Sequence, residues 1–332
     1  MAKVSRREVV GALSMLPLAL KEALAAQSAS IPIIDSHIHL FDKTRPGGAP
    51  YPADAGPGRV PVQGMTALPA RFRSVVKPFG VVGAVVVEAS AWLEDNQWLL
   101  DQAAKDTIIV GVVGLLNLVE PDFGRHLERF GKNKLYRGIR HRPSDGISSP
   151  IEDSLEKPQF VANLKLLADA GLSLDTFVRQ PGKDASTALV RLTDKVPSLR
   201  LIIDHLPGVE RPADRAALDR FKGGLRELGR RPQVYIKFSE VVRKVGDTVS
   251  TNPTTYRETL DELWDMFGED RVIFGSDWPN SETVELNSYP NVMRVARDYV
   301  TSKGSSAMAK VFWKNSLAAY KWVKRDASQP QA

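Results

Sequence analysis

Hydrophobic residues along this chain come in short runs, and most of these runs are rich in Val, Ile and Leu. Several are apolar almost without interruption, which is typical of parallel β-strands that are covered on both faces. The pattern predicts eight strands, at 31–40, 80–90, 107–117, 136–142, 172–180, 199–206, 233–241 and 271–277. Amphipathic stretches such as QFVANLKLLADAG and TTYRETLDELWDMFG separate them and predict helices.

The count of strands and helices predicts the fold class. Eight strands, each followed by a helix, within about 300 residues favour a single-domain (β/α)8 barrel (TIM barrel). We place this barrel at residues 30–325, with 326–332 as a polar tail. A doubly wound open sheet is the alternative, but it usually has fewer strands and a glycine-rich first turn, which the first strand here lacks.

The first 29 residues have the three-part layout of an export signal. A basic start with Arg6 and Arg7 precedes an apolar run at 9–20, and small residues follow. The paired arginines resemble the twin-arginine motif, which predicts a periplasmic protein; the location is cytoplasmic if the signal is not used. The alternative is an amphipathic helix packed on the barrel. A membrane anchor is disfavoured, because the apolar run is shorter than the roughly 20 residues that span a bilayer.

Composition narrows the possible chemistry. The 332 residues include no Cys, which excludes disulfide scaffolds, thiolate metal sites and cysteine nucleophiles. The 45 Lys and Arg exceed the 39 Asp and Glu by only six, and both signs are interleaved. This mild excess does not favour nucleic acid as a partner. It says nothing about the oligomeric state.

Four residues that can bind a metal stand at the predicted strand ends. His37 and His39 are two residues apart on the first strand, so their side chains point to the same side. His205 ends the sixth strand in IIDHLPG, and Asp277 ends the eighth in IFGSDWPN. Three imidazoles and one carboxylate are suitable ligands for zinc or a similar divalent ion.

The motifs HIH, DH and GSDWP resemble those of the amidohydrolase superfamily, and more closely its amidohydrolase-related lactonase family. The resemblance runs from about residue 31 to 323 and implies metal ligation by His37 and His39, with His205 and Asp277 nearby. The fifth strand, LSLDTFVRQ, has no Lys or His that could bridge two metals. We therefore expect at most one divalent ion, with zinc as the expected metal. Some relatives work without a metal.

The resemblance also implies a reaction, the opening of a lactone by water. Asp277 is our candidate for the base that takes a proton from the water. His205 acts as a ligand or polarises the carbonyl, and the sequence does not separate these roles. The predicted substrate-binding residues are Arg140, Arg179, Lys237 and Ser239.

The positive charge of these residues predicts a small anionic lactone of the carboxy- or sulfo-muconolactone type as substrate. Guanidinium groups pair well with carboxylates and sulfonates. A sugar-acid lactonase and a non-oxidative decarboxylase remain as alternative enzymes. A non-catalytic barrel that binds an acidic ligand is the third class of hypothesis.

We expect the mature protein to begin between Ala26 and Ser30, because signal cleavage follows small residues. Intact-mass analysis of periplasmic material checks this. A mass that still includes residues 1–25 would contradict export.

Overall fold

The computed structural model describes residues 31–46, 66–143, 148–178, 185–245, 248–282 and 289–331. The predicted export signal and Arg179 lie outside the described residues, so both stay predictions. None of the helices in these segments is long and apolar enough to cross a membrane.

Eight parallel strands form one sheet in which each strand pairs with its neighbours in chain order. They are β1 (Ile33–His39), β2 (Val81–Val87), β3 (Ile109–Gly114), β4 (Tyr136–His141), β5 (Ser173–Thr176), β6 (Arg200–Ile203), β7 (Val234–Phe238) and β8 (Val272–Phe274). All eight predicted strands are confirmed. Each is shorter than its apolar run, because the last residues of the run leave the sheet and form the loops that carry polar side chains.

A helix follows each strand, which confirms the (β/α)8 barrel. They are α1 (Pro69–Val76), α2 (Asp95–Lys105), α3 (Phe123–Gly131), α4 (Pro158–Asp169), α5 (Ala185–Lys195), α6 (Arg215–Gly229), α7 (Arg257–Phe267) and α8 (Tyr289–Thr301). A further helical segment runs from Ser305 to Tyr320 and includes a π-helical turn at Lys310–Lys314. Their apolar faces pack on the outside of the strands and form the main core.

The barrel closes between β1 and the residues after β8. The amide of Asp277 donates to the carbonyl of His37 (2.9 Å), and the amide of His39 donates to the carbonyl of Trp278 (2.7 Å). Asp35 reinforces this seam, since its carboxylate accepts hydrogen bonds from the Ser276 amide (2.9 Å) and the Tyr289 hydroxyl (3.0 Å). The seam therefore fixes the position of Asp277 relative to the histidines of β1.

The segment after residue 325, which the sequence predicted as a polar tail, packs against the barrel. The side chain of Gln329 is buried and donates to the carbonyls of Val82 (3.0 Å) and Thr107 (2.8 Å). Its amide oxygen accepts from the backbone of Arg325 (2.6 Å) and Asp326 (3.0 Å). The division at residue 325 is corrected accordingly: polarity alone marked a tail, but these side chains satisfy backbone groups next to β2 and β3.

We expect Gln329→Ala to lower the free energy of unfolding by about 1–3 kcal/mol, because it leaves buried carbonyls without donors. The urea unfolding midpoint measures this. Gln159→Ala, on the exposed face of α4, is the control and should change stability by less than about 0.5 kcal/mol. Equal effects of the two substitutions would show that the C-terminal segment does not stabilise the barrel.

Candidate active site

Two histidines and one aspartate meet at the carboxyl end of the barrel. The Nε2 atoms of His37 and His39 are 3.2 Å apart, and Asp277 Oδ1 lies 3.2 Å from His39 Nε2 and 3.6 Å from His37 Nε2. All three side chains are buried. A register shift in β1 between Asp35 and Ile38 turns both imidazoles toward the barrel interior, where Ile34 also packs.

The spacing of these three atoms fits a divalent metal ion. A tetrahedral zinc ion with ligand bonds of about 2.0–2.1 Å separates its ligands by about 3.3 Å. The three distances of 3.2, 3.2 and 3.6 Å match this value. The donor set of two imidazoles and one carboxylate also leaves a fourth position for water or substrate, as catalytic sites do. These residues therefore form a candidate divalent-metal site.

Hydrogen bonds fix the orientation of both imidazoles. His39 Nδ1 donates to the carbonyl of Val87 (3.0 Å), which leaves its Nε2 lone pair facing His37. Lys237 Nζ donates to His37 Nδ1 (2.9 Å), so the proton of neutral His37 lies on Nε2, between the two rings. Burial, together with the charges of Lys237 and Arg140, lowers the pKa of His37 well below its usual value. An ion that binds between the rings replaces this proton.

Lys237 is fully buried below the metal site and has no contact with the open mouth. Its ammonium donates to Asp175 Oδ2 (2.7 Å) and contacts Asp204 Oδ1 (2.8 Å), in addition to His37. Burial raises the pKa of Asp175 to about 6 against the opposing effect of Lys237. Burial acts in the same direction on Asp204, but the two cations Lys237 and Arg140 outweigh it and lower the pKa.

Arg140 is also paired inside the protein. Its Nε lies 2.9 Å from Asp204 Oδ2, and its Nη1 lies 3.5 Å from Glu88 Oε1. Arg142 Nη1 donates to Glu88 Oε2 (2.8 Å). The three cations of this network, Arg140, Arg142 and Lys237, thus face the three carboxylates of Glu88, Asp175 and Asp204.

This balance corrects the argument for an anionic substrate. The sequence predicts that Arg140, Arg179 and Lys237 are unpaired until an anionic substrate binds; Arg179 lies outside the described residues. In the structure Arg140 and Lys237 are compensated by carboxylates from neighbouring strands. A neutral ligand consequently leaves no charge of this network unpaired.

His205 lies beside His37, with ring centroids 4.4 Å apart, but both of its nitrogens are engaged. Arg140 Nη2 donates to His205 Nε2 (3.2 Å), and His205 Nδ1 pairs with the hydroxyl of Ser239 (2.8 Å). Burial lowers the pKa of His205 well below its usual value, so the ring is neutral. His205 also belongs to two further groups whose ligand atoms lie within 4.8 Å of one another, with His37 and Asp204 and with Glu240 and Asp277, so its part in metal ligation stays a prediction. Ser239 is fully buried and pairs with His205, and its predicted contact with substrate stays a prediction.

Sequence reasoning missed three carboxylates of the site. Asp204 directly precedes His205 in a buried apolar strand, and Asp175 interrupts the apolar run of β5; a charged residue in such a strand signals a buried partner. Glu240 lies two residues after β7, and its carboxylate is within 4.8 Å of ligand atoms of His205 and Asp277. Asp175 also accepts from the Tyr320 hydroxyl (2.6 Å), so β5 offers no carboxylate free for a second metal.

Comparisons with known proteins agree with this geometry. The model of the amidohydrolase family (Amidohydro_2) matches residues 34–322. An L-fucono-1,5-lactonase from Burkholderia multivorans is 27% identical over 292 residues, which cover 86% of this chain and 94% of that protein. An amidohydrolase structure from Burkholderia multivorans, with bound zinc, has a TM-score of 0.72 and 24% identity over 88% of this chain and 99% of that chain.

More distant structures share the fold as well. A probable 2-pyrone-4,6-dicarboxylic acid hydrolase from Acinetobacter baumannii has a TM-score of 0.66 and 19% identity, covering 87% of this chain and 99% of that chain. A solved dihydroxybenzoic acid decarboxylase follows at a TM-score of 0.60 and 16% identity, covering 90% of this chain and 98% of that chain.

The fold and the cluster of His37, His39 and Asp277 define a (β/α)8 enzyme with a divalent-metal site at the carboxyl ends of its strands. The chain belongs to the amidohydrolase family, since the family model spans most of its length. This membership confirms the resemblance recognised in the sequence.

Freshly purified protein should contain at most one divalent ion per chain, and His37→Ala should lose it, because one of three ligands is removed. Elemental analysis by mass spectrometry measures the metal. His126→Ala, in α3, is the control and should keep the ion. Two ions bound at full occupancy, or an unchanged metal content in His37→Ala, would contradict the site described above.

Proposed function

We propose that this protein hydrolyses the lactone of a sugar acid, with a zinc ion as cofactor. The observation that carries the proposal is the triangle of His37, His39 and Asp277 next to a charge network that is already balanced. A site with balanced charges at the carboxyl end of the barrel suits a neutral, hydroxylated ring. The similarity to an L-fucono-1,5-lactonase over 86% of the chain supports the same substrate class, and the zinc in the related Burkholderia multivorans structure supports the metal.

His37, His39 and Asp277 would hold the ion, and the chemistry that it supplies when bound is Lewis-acid polarisation of the lactone carbonyl. The two imidazoles are neutral donors whose rings are fixed by Lys237 and by the carbonyl of Val87. Their fixed orientation means that little rearrangement precedes the reaction.

Asp277 takes the proton from the attacking water in this proposal. Asp277 Oδ1 faces the two histidines, so the second oxygen of this carboxylate is assigned to the attacking water. The same carboxyl group then returns the proton to the ring oxygen as the carbon–oxygen bond breaks. His205 does not serve as the base here, because its Nε2 accepts from Arg140 and its Nδ1 pairs with Ser239.

Decarboxylation is the alternative reaction, since solved decarboxylases share the fold. An aromatic carboxylate as substrate calls for an unpaired cation at the mouth. Of the predicted cations, Arg140 and Lys237 are both paired with carboxylates, and Arg179 lies outside the described residues. The charge balance therefore favours ring-opening hydrolysis.

Sugar-acid 1,5- and 1,4-lactones should be opened with release of one proton per turnover, which a pH indicator records. Asp277→Asn should fold normally and lose about 10²–10⁴-fold in rate, because it keeps the shape but removes the base. Asp101→Asn, on the exposed face of α2, is the matched control and should keep the parent rate.

Two results would contradict the proposal. One is release of carbon dioxide from hydroxybenzoates without any opening of lactones. The other is a near-parental rate of Asp277→Asn on the lactones, which would place the base elsewhere.

A further inference from the structure

Three neighbouring strands end in the same unusual backbone conformation. His205 after β6, Glu240 after β7 and Asp277 after β8 have φ angles of 52°, 49° and 58°. Within the described segments, Lys321 is the one other residue besides glycines with a positive φ. This left-handed region is unfavourable for residues with a side chain, and such strain concentrates at functional sites. Two of the three residues already belong to the site, and Glu240 has no role yet.

The side chain of Glu240 reaches the same place as those of its two counterparts. Its carboxylate lies within 4.8 Å of ligand atoms of His205 and Asp277, and the residue is half-buried. It therefore stands beside the candidate reaction centre and is partly exposed.

Gly208, in the turn after His205, determines where this carboxylate lies. A Cβ atom added to Gly208 would be 2.8 Å from Glu240 Oε2 and 3.0 Å from Glu240 Cβ. These distances, and the 3.2 Å to the carbonyl oxygen of Glu240, are shorter than ordinary contacts, so a residue larger than glycine forces Glu240 to shift. The loop after β6 thus supports Glu240 in its position next to Asp277.

We propose that Glu240 is a specificity-determining residue, whose carboxylate accepts hydrogen bonds from hydroxyl groups of the lactone ring. This inference rests on the proposed function and names the part of the site that recognises the sugar. A carboxylate accepts several hydrogen bonds and donates none, and the hydroxyl groups of a sugar lactone are matching donors. Asp277 and the two histidines act at the carbonyl, while Glu240 binds the hydroxylated part of the same ring.

Glu240 is assigned to substrate and not to a second metal ion. A cation held by Glu240, His205 and Asp277 needs a free nitrogen on His205. Both nitrogens are engaged, one by Arg140 and one by Ser239.

The test compares a hydroxylated sugar-acid 1,5-lactone with unsubstituted δ-valerolactone, which has the same ring and ester but no hydroxyl groups. Glu240→Gln should raise KM for the sugar lactone about tenfold or more with little change in kcat, since it weakens binding and leaves the chemistry intact. Its kinetics on δ-valerolactone should equal those of the parent. Glu210 is an exposed residue in the neighbouring loop, and Glu210→Gln is the control. It should leave kcat and KM unchanged for both lactones.

Gly208→Ala is the second variant, because it displaces the carboxylate without removing it. It should also raise KM for the sugar lactone and leave the kinetics on δ-valerolactone unchanged. Thermal unfolding of each variant shows whether the barrel is intact. If Glu240→Gln does not fold, the kinetics of Gly208→Ala on the two lactones test the proposal without it.

The inference is overturned if Glu240→Gln and Gly208→Ala affect both lactones equally or neither of them. Loss of bound metal in Glu240→Gln also overturns it, since Glu240 is then a ligand. If the parent enzyme opens neither lactone, the proposed function itself fails, and the inference fails with it.

Discussion

The buried ammonium group of Lys237 is the constraint on which the site depends. Removing such a charge from water costs several kcal/mol unless carboxylates compensate it. Asp175 and Asp204 do so at 2.7 and 2.8 Å, and the third contact of the ammonium is His37 Nδ1. One side chain on β7 thus ties β5 and β6 to the first metal-binding histidine of β1.

The pairing continues outward from Lys237 and reaches the mouth of the barrel. Asp204 also contacts Arg140, and Arg140 approaches Glu88, so charges alternate from β7 to β2. Each cation lies near a carboxylate, and no excess of positive charge remains in this network to attract an anion. The charges of this network therefore balance one another. This balance suits a reaction in which Asp277 and the histidines act on a neutral ester.

The sequence predicted the barrel and the meeting of His37, His39 and Asp277 at its carboxyl end, together with His205, because the strands and these motifs leave local signals. The eight apolar runs mark the strands, and the pair His37 and His39 shares one face of β1. The register shift between Asp35 and Ile38 leaves both imidazoles on the interior side of the barrel. Asp277 was recognisable since its motif follows the last strand.

The partners of the cations were beyond sequence reasoning, because pairing between strands depends on register across the barrel. Arg140 and Lys237, together with Arg179, therefore predicted an anionic substrate, although Asp204 lies between Arg140 and Lys237 in space. Glu240 was missed for a related reason. The position of Glu240 depends on its left-handed backbone conformation and on the space that Gly208 leaves. Neither can be recognised from the amino-acid sequence.

The most direct test of this account is the effect of substrate charge on the parent enzyme. The ratio of kcat/KM for a neutral aldono-lactone to that for the matching lactone with a free carboxylate should be about ten or more, because Arg140, Arg142 and Lys237 are already paired and a further carboxylate would stay uncompensated. A ratio below one, with the carboxylated lactone preferred, would show that Arg140 or Lys237 is available to substrate and would contradict the balanced network.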